Sequence, residues 1–254
     1  ACFWFNKTKD IVPNHFISSP DEQVLITKKA KTLPVEVIVR QYITGSLWRE
    51  YKQGINGQYG FMLPADLKEN QEFDSPILTP STKAEYGLHD EPISREKIIN
   101  SLVDEKIYKK AEEYALQLFD AGQKWANKMG LILVDTKYEF GKNSNEEIIL
   151  IDEIHTPDSS RYFYLDTYQE LQLSKSPQKQ LSKEFVREWL ISNDFQGKNG
   201  QTIPEMNDKY IKGVSERYIE LYEKITGSVF IKADTTNIKK RIEKNVEDYL
   251  KSLK

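Results

Sequence analysis

Residues 131–161, LILVDTKYEFGKNSNEEIILIDEIHTPDSSR, read as two strands joined by a polar turn. Apolar Leu131, Ile132, Leu133 and Val134 run into Asp135, Lys137 and Glu139, which sit two apart and so project from one face of a strand. Residues 141–147 are rich in turn formers and close that strand. The return run, residues 148–151, is apolar throughout and ends on Asp152 and Glu153, one of which must share a face with the first strand's charges. Pairing register decides which: an odd sum of partner numbers sets Asp152 beside Asp135 and Glu139, and the turn alone does not fix it. Two carboxylates about 5 Å apart repel by roughly 3 kcal/mol at an effective dielectric near 20, so they stay together only if Lys137 or a hard cation such as magnesium neutralises them. A solvated hairpin laced by cross-strand ion pairs is the plain alternative. The polar loop from His155 to Arg161, directly after the acidic pair, argues against it.

Upstream, residues 104–130 form the clearest helix, with Ile107, Ala111, Ala115, Leu118, Trp125 and Met129 on one stripe and Gly130 ending it. This helix packs and delivers the chain into the hairpin. Residues 34–46, PVEVIVRQYITGS, read as a strand ending in a Thr-Gly-Ser turn, after which Leu47, Trp48 and Tyr51 begin a helix. Backbone amides and a hydroxyl then face a ligand at a helix N-terminus, an arrangement that suits phosphate, and Arg40 adds a charge-assisted contact. An N-capped helix with Arg40 in a surface ion pair is the bland version. Residues 24–28 and 35–43 are strand-like, and the Pro-containing stretch between them, residues 31–34, could act as a hinge. Phe3, Trp4 and Phe5 read as the end of a core helix, followed by a short strand at residues 15–18 in which His15 is a satisfied structural histidine. Residues 54–90 read as a long loop region rather than regular structure, with Lys83, Glu85, His89 and Asp90 as its chemically capable groups. Taken alone, His89-Asp90 is an ordinary turn.

Downstream, Tyr162, Phe163 and Tyr164 lead into a polar connector reaching Ser182. SKEFVREWL then reads as a capped helix with Phe185, Trp189 and Leu190 inward and Arg187 available for a ligand. Residues 204–226 form another amphipathic helix, using Tyr210, Val214, Tyr218, Leu221 and Ile225, with Gly227 as its cap. A strand-like VFIKA and a helix on Ile238, Ile242, Val246 and Leu250 follow, in a tail holding seven basic and four acidic residues.

The 254 residues are 39% hydrophobic and 30% charged, the make-up of an ordinary globular protein able to bury a large core as one domain or two lobes. A net charge of -3 gives no electrostatic reason to expect nucleic acid. The single cysteine, Cys2, cannot form an internal disulfide and reads as a small apolar side chain rather than a catalytic thiol. No apolar run reaches the 18 or so residues of a membrane span, which makes the cytoplasm the default location. Oligomeric state is not legible.

VDTKYEFG followed by IDEIHTPDSSR resembles the paired signature of the SAICAR synthetase family, ATP-dependent amide ligases of purine synthesis. PVEVIVRQYITGS and SPILTPSTKAEYGLHDEPIS are similar to the family's substrate strand and to its most polar active-site segment. The resemblance runs from about Trp4 to Gly227. It implies an α+β fold of two lobes with antiparallel sheets, a kinase-like or ATP-grasp-like adenine hinge and flanking helices. Residues 1–33 would be the remainder of a nucleotide-binding lobe, 34–227 the main ATP- and substrate-binding region, and 228–254 a C-terminal extension. It also implies the reaction: L-aspartate joined to the carboxylate of carboxyaminoimidazole ribonucleotide (CAIR), giving SAICAR, ADP and phosphate through an acyl phosphate. ATP and Mg2+ would be the cofactors and the two small molecules the partners, with no nucleic acid and no membrane.

Residue by residue, the resemblance makes Glu139 and Asp152 the magnesium ligands on the nucleotide phosphates. Lys137 would contact the transferring oxygens, and Asp135 would orient Lys137 or engage aspartate. Lys31, Leu33 and Glu36 would join Glu139 and Asp152 in binding the nucleotide. Arg40, Ser46, Lys83, Glu85, Asp90, Asp158, Arg161 and Arg187 would bind substrate, Arg187 because the family places an arginine there. The chain departs in one respect: the family's GKVRD-like glycine-and-lysine strand and its DRISAFD-like segment have no counterpart before ACFWF. The expectation is therefore a polypeptide short of part of its nucleotide lobe. Its competitors are a binding module of the same fold without turnover, and another ATP-dependent ligase or kinase-like phosphotransferase sharing the hinge and acidic hairpin.

Overall fold

A computed structural model describes residues 1–83, 90–197 and 200–253. Along the chain run α1 (Cys2–Thr8), β1 (Phe16–Asp21), β2 (Val24–Thr27), β3 (Lys31–Tyr42), α2 (Gly45–Lys52), β4 (Glu72–Leu78), β5 (Ser81–Thr82), α3 (Arg95–Ser101) and α4 (Glu105–Lys128). Then come β6 (Leu131–Lys142), β7 (Ile148–Ile151), β8 (Ser160–Tyr164), α5 (Leu165–Leu173), β9 (Gln180–Leu181), α6 (Glu184–Ser192), α7 (Asp208–Thr226) and α8 (Ile238–Ser252). An antiparallel seven-stranded sheet has the order β4-β3-β6-β8-β9, with β5 added to β3 and β7 to β6. β1 and β2 form a separate two-stranded ladder. The expected α+β class is what the chain adopts.

β6 is the spine of the sheet, and both its faces are covered, which is why its first four residues are apolar without alternation. Leu131 and Leu133 join a core with Ala111, Ala115, Leu118, Phe119 and Ala126 of α4, whereas Ile132 and Val134 pack with Tyr42, Phe163 and Tyr168. Continued without interruption, that alternation would drive Asp135, Lys137 and Glu139 into the α4 core. It does not continue. The register of β6 against β8 shifts between Leu133 and Asp135, and beyond the shift Tyr138 and Phe140 are the residues on the α4 side. A bulge inserts one residue and so exchanges the two faces. That exchange turns the charged triplet away from the core.

Several expectations are corrected. Residues 31–34 are not a connector between two strands; they begin β3, and Pro34 falls where the register against β6 shifts between Thr32 and Glu36, a place where a missing N–H can be tolerated. Residues 54–90 are not all loop, since they contain β4 and β5. Pro76 disguises β4, yet β4 is an edge strand, the position where proline is allowed. The connector before Ser182 contains α5, and VFIKA joins no sheet, leaving Val229 and Ile231 exposed. Helix α7 starts at Asp208, not Pro204, capped by Asn207. Phe185, Trp189 and Leu190 are only partly covered, and Glu184 is the buried residue of α6. His15 is not satisfied either, because its buried Nε2 has no partner.

Candidate functional site

Three neighbouring strands place Arg40, Asp135 and Arg161 in one row, with Arg40 opposite Asp135 across β3 and β6 and Asp135 opposite Arg161 across β6 and β8. Arg40 Nη1 donates to Asp135 Oδ2 at 2.8 Å, and Arg161 Nη1 donates to the same oxygen at 3.5 Å. Glu184, at the start of α6, continues the row: its Oε2 accepts from Arg161 Nη2 at 3.2 Å and its Oε1 from Arg49 Nη1 at 2.7 Å. Burial pushes the Glu184 carboxyl up, but the field of Arg161 and the hydrogen bond from Arg49 outweigh it and hold the group below its ordinary range. Three guanidiniums thus face two carboxylates in a row where Arg40, Asp135 and Arg161 are all under 10% exposed. The buried members, Arg40, Asp135, Arg161 and Glu184, balance one another, and the extra positive charge is that of Arg49, whose side chain is 41% exposed. Guanidiniums fixed side by side present forked donors that suit an anionic ligand.

The Thr-Gly-Ser corner stands beside this row. Arg40 Nε donates to Thr79 Oγ1 at 2.8 Å and Nη2 to Ser46 Oγ at 3.3 Å, so Ser46 and the N-terminus of α2 flank the Arg40 end of the row. Gly45 has φ +57°, and a Cβ there would lie 2.5 Å from Arg161 Nη2. Only glycine both adopts that backbone conformation and leaves the guanidinium room.

Further along β3 and β6, Glu36 and Glu139 are direct partners. Like charges in that position are destabilising unless a cation separates them. Lys137 supplies one: its Nζ donates to Glu139 Oε1 at 2.7 Å, Glu36 Oε1 at 3.2 Å and Asp152 Oδ2 at 3.3 Å, while Lys83 donates to Glu139 Oε2. Burial works against the Lys137 charge, yet the hydrogen bond to Glu139 and the fields of Glu36, Glu139 and Asp152 raise its pKa overall. Glu36 goes up through burial, which its lysine contacts only partly offset. Glu139 goes down, because its bonds to Lys137 and Lys83 outweigh its own burial.

Asp152 reaches this cluster by a route the sequence did not show. Glu139 pairs with Ile151, an even-sum register, so the odd-sum alignment does not form. The strand instead ends at Ile151, and Asp152 takes φ +63°, the left-handed region, where an aspartate is tolerated. That turn breaks the alternation and brings its carboxylate to Lys137.

Both clusters open on one cleft of about 470 Å³, whose walls include Glu36, Arg40, Ser46, Asp90, Asp135, Lys137, Asp158, Arg161 and Arg187. Lys83, Glu139 and Asp152 join through the lysine contacts. Lys31 and Leu33 do not line this cleft: Lys31 is exposed opposite Lys142, and the Leu33 side chain is core. Glu85 and His89 lie outside the described residues. Sequence reading missed Thr79, Ser160, Arg49 and Glu184. Glu184 looks like any first-turn helix acid, and only the fold shows its buried side chain meeting two arginines. A larger neighbouring cavity of about 660 Å³ lies across Gly45 and Glu184, but the arginine row and the lysine-bridged acids concentrate the chemistry in the smaller one.

An antiparallel sheet that sets a row of arginines beside lysine-bridged carboxylates in one cleft suits an enzyme acting on phosphate-bearing small molecules. The model of the SAICAR synthetase family matches residues 1–202, and the chain belongs to that family. It is 54% identical over 251 residues to the phosphoribosylaminoimidazole-succinocarboxamide synthase of Bacteroides thetaiotaomicron, covering 98% of this chain and 80% of that one. The enzyme of the same name from Flavobacterium psychrophilum is 54% identical, with 96% and 78% covered. Among solved structures, SAICAR synthase from Saccharomyces cerevisiae complexed with SAICAR superposes with a TM-score of 0.73 at 36% identity, covering 91% of this chain and 80% of that one. A SAICAR synthetase in complex with ADP gives 0.65 at 29% identity, with 91% and 79% covered.

Proposed function

We infer that the cleft is where this chain joins L-aspartate to the carboxylate of CAIR at the expense of ATP, yielding SAICAR, ADP and phosphate. The observation that carries this reading is the row Arg40–Asp135–Arg161 sharing one cleft with the lysine-bridged acids Glu36, Glu139 and Asp152. A carboxylate is a poor acyl donor because its leaving group would be oxide. Moving the γ-phosphoryl group of ATP onto it gives an acyl phosphate, from which the aspartate amine displaces phosphate. The protein's task is then alignment and charge neutralisation.

Arg40, Arg161 and Ser46 bind the ribonucleotide phosphate as a forked, charge-assisted seat, and Asp135, whose one oxygen accepts from both guanidiniums, holds the two side by side. Asp90, Asp158 and Arg187 line the same volume and meet the rest of the substrate, with Asp158 anchored by Tyr218 Oη at 3.0 Å. Lys137 stays protonated and sits where phosphoryl oxygens would pass. Lys83, on the other oxygen of Glu139, braces that carboxylate. We place Glu85 with the substrate residues on the resemblance alone.

Magnesium fits the donor set. Glu139 and Asp152 present hard oxygens already gathered around a positive charge, and among the described residues no group of three or more His, Cys, Asp or Glu side chains could cage a metal alone. Magnesium is characteristically held by one or two carboxylates plus phosphates and water, and when bound it neutralises phosphate charge. Among the described residues no helix is long and apolar enough to cross a membrane; we assign the chain to the cytoplasm, beside its small-molecule substrates.

The test is Asp152→Asn. ATP-dependent SAICAR formation should then need about 10- to 100-fold more magnesium for half-maximal rate. An unchanged magnesium requirement with full turnover would remove Asp152 from metal binding, and ATP turnover independent of CAIR and aspartate would overturn the ligase itself.

A further inference from the structure

Residues beyond the family match include α8, whose docking is specific. Asp21, at the end of β1, has a side chain with no exposure at all. Its two oxygens accept from Arg241 on α8, Nε to Oδ2 at 2.9 Å and Nη2 to Oδ1 at 3.1 Å. Asn245, one turn further along α8, donates to Oδ2 at 2.8 Å, and the backbone of Gln23 in the hairpin turn donates to Oδ1 at 3.1 Å. The remaining nitrogen of Arg241, Nη1, donates to the carbonyl of Asp234, fixing the segment that leads into the helix. The hydrogen bond from Arg241 holds the Asp21 carboxyl down at about 2. A two-pronged guanidinium–carboxylate pair whose carboxylate is closed off from solvent fixes orientation as well as distance.

The hairpin gripped in this way is spliced into the strands of the acid cluster at both of its ends. Before β1, Asn14 bridges Leu150, Leu150 N donates to the Pro13 carbonyl at 2.9 Å, and His15 N donates to the Leu150 carbonyl at 3.0 Å. Leu150 is two residues ahead of Asp152. After β2, Lys28 N donates to the His15 carbonyl at 2.7 Å, and the chain passes straight into Lys31 and β3, the strand of Glu36. Two strands standing outside the main sheet have little cooperative support of their own. Their orientation depends on what holds the tip.

We propose that the Asp21–Arg241–Asn245 clamp is a positioning device for the nucleotide half of the site, by which α8 fixes the β1–β2 hairpin and, through it, Asp152 and the start of β3. This rests on the proposed function for where nucleotide binds. Arg241 and Asn245 touch no substrate; they act through the hairpin.

The test uses the full chain and measures two affinities by calorimetry, ADP with magnesium and CAIR, in the wild type, Arg241→Ala, Arg241→Lys and Asn245→Ala. Arg241→Ala should weaken ADP about three- to tenfold and leave CAIR within about twofold, because Arg40 stands at the far end of β3 from the hairpin and Asp135 and Arg161 stand on β6 and β8. Arg241→Lys, keeping the charge without the fork, should fall between wild type and Arg241→Ala, and Asn245→Ala should show a smaller loss of the same kind. ADP affinity unchanged in Arg241→Ala overturns the clamp's positioning role, and so does an equal loss for both ligands, which marks general loosening. A wild-type chain that binds CAIR but no ADP overturns the assignment of the nucleotide site, and the clamp's role with it.

Discussion

Gly45 shows how much one hydrogen atom decides. With φ +57° and Arg161 Nη2 2.5 Å from where a Cβ would stand, Gly45→Ala strains the backbone and displaces the guanidinium at once. The backbone term alone is about 1–2 kcal/mol. The larger effect falls on the anion seat, where kcat/KM for CAIR should drop on the order of 10- to 100-fold. Steady-state kinetics with CAIR varied at saturating ATP measure it, and a loss below threefold would mean that Arg161 has room to move. Asp135 invites a complementary substitution. Asp135→Asn leaves two guanidiniums with no shared anion, so the folded state should lose about 3 kcal/mol or more in urea denaturation. Saturating CAIR should restore part of that loss by supplying its phosphate.

Helix α4 supports the site from behind the sheet, and its one glycine leaves no room for a side chain. A Cβ on Gly122 would lie 2.4 Å from His155 Cε1 and 2.7 Å from Leu133 Cδ2. An exposed Gly→Ala change in a helix interior gains up to about 1 kcal/mol. Here overpacking wins, and Gly122→Ala should destabilise by about 1–3 kcal/mol, read as a melting temperature lower by several degrees. The same element shows what the sequence could yield. Helix α4, the hairpin and the Thr-Gly-Ser corner were legible because each has its own period or its own punctuation. The bulge between Leu133 and Asp135 was not, since nothing in LILVD distinguishes a flat strand from one that exchanges faces. Nor was the left-handed turn at Asp152, which replaces a register argument by a backbone one. Strand β4 was hidden by Pro76 because edge position is a property of the sheet, not of the segment.

At the scale of the molecule, His155 knits three layers together. It lies fully inside, edge-on to Trp4 of α1, against Gly122 of α4, with Nε2 2.6 Å from Tyr138 Oη on β6, and its backbone carbonyl accepts from Tyr162 Oη at 2.9 Å. Burial pushes its pKa down to about 3. An unfolded chain binds this proton near pH 6.5, so between about 3 and 6.5 the unfolded state holds more protons, and stability falls as pH drops through that window. The slope contributed is at most about 1.4 kcal/mol per pH unit. Burial also lowers His15, which adds to the loss with the same sign. Urea denaturation at about pH 7 and pH 5 should therefore show a steeper decline for the wild type than for His155→Gln. Equal declines would mean that the imidazole is protonated inside the fold.

The ammonium groups among the acids have one more consequence. Lys137 and Lys83 are tethered to the carboxylates they serve, so a bare divalent ion must compete against partners that never diffuse away. If Glu139 and Asp152 hold the ion as proposed, a metal arriving with a polyphosphate would need only those two protein oxygens, and the phosphates would give Lys137 and Lys83 other anions to face. The lysines would then favour an ion that comes with its nucleotide over one that comes alone.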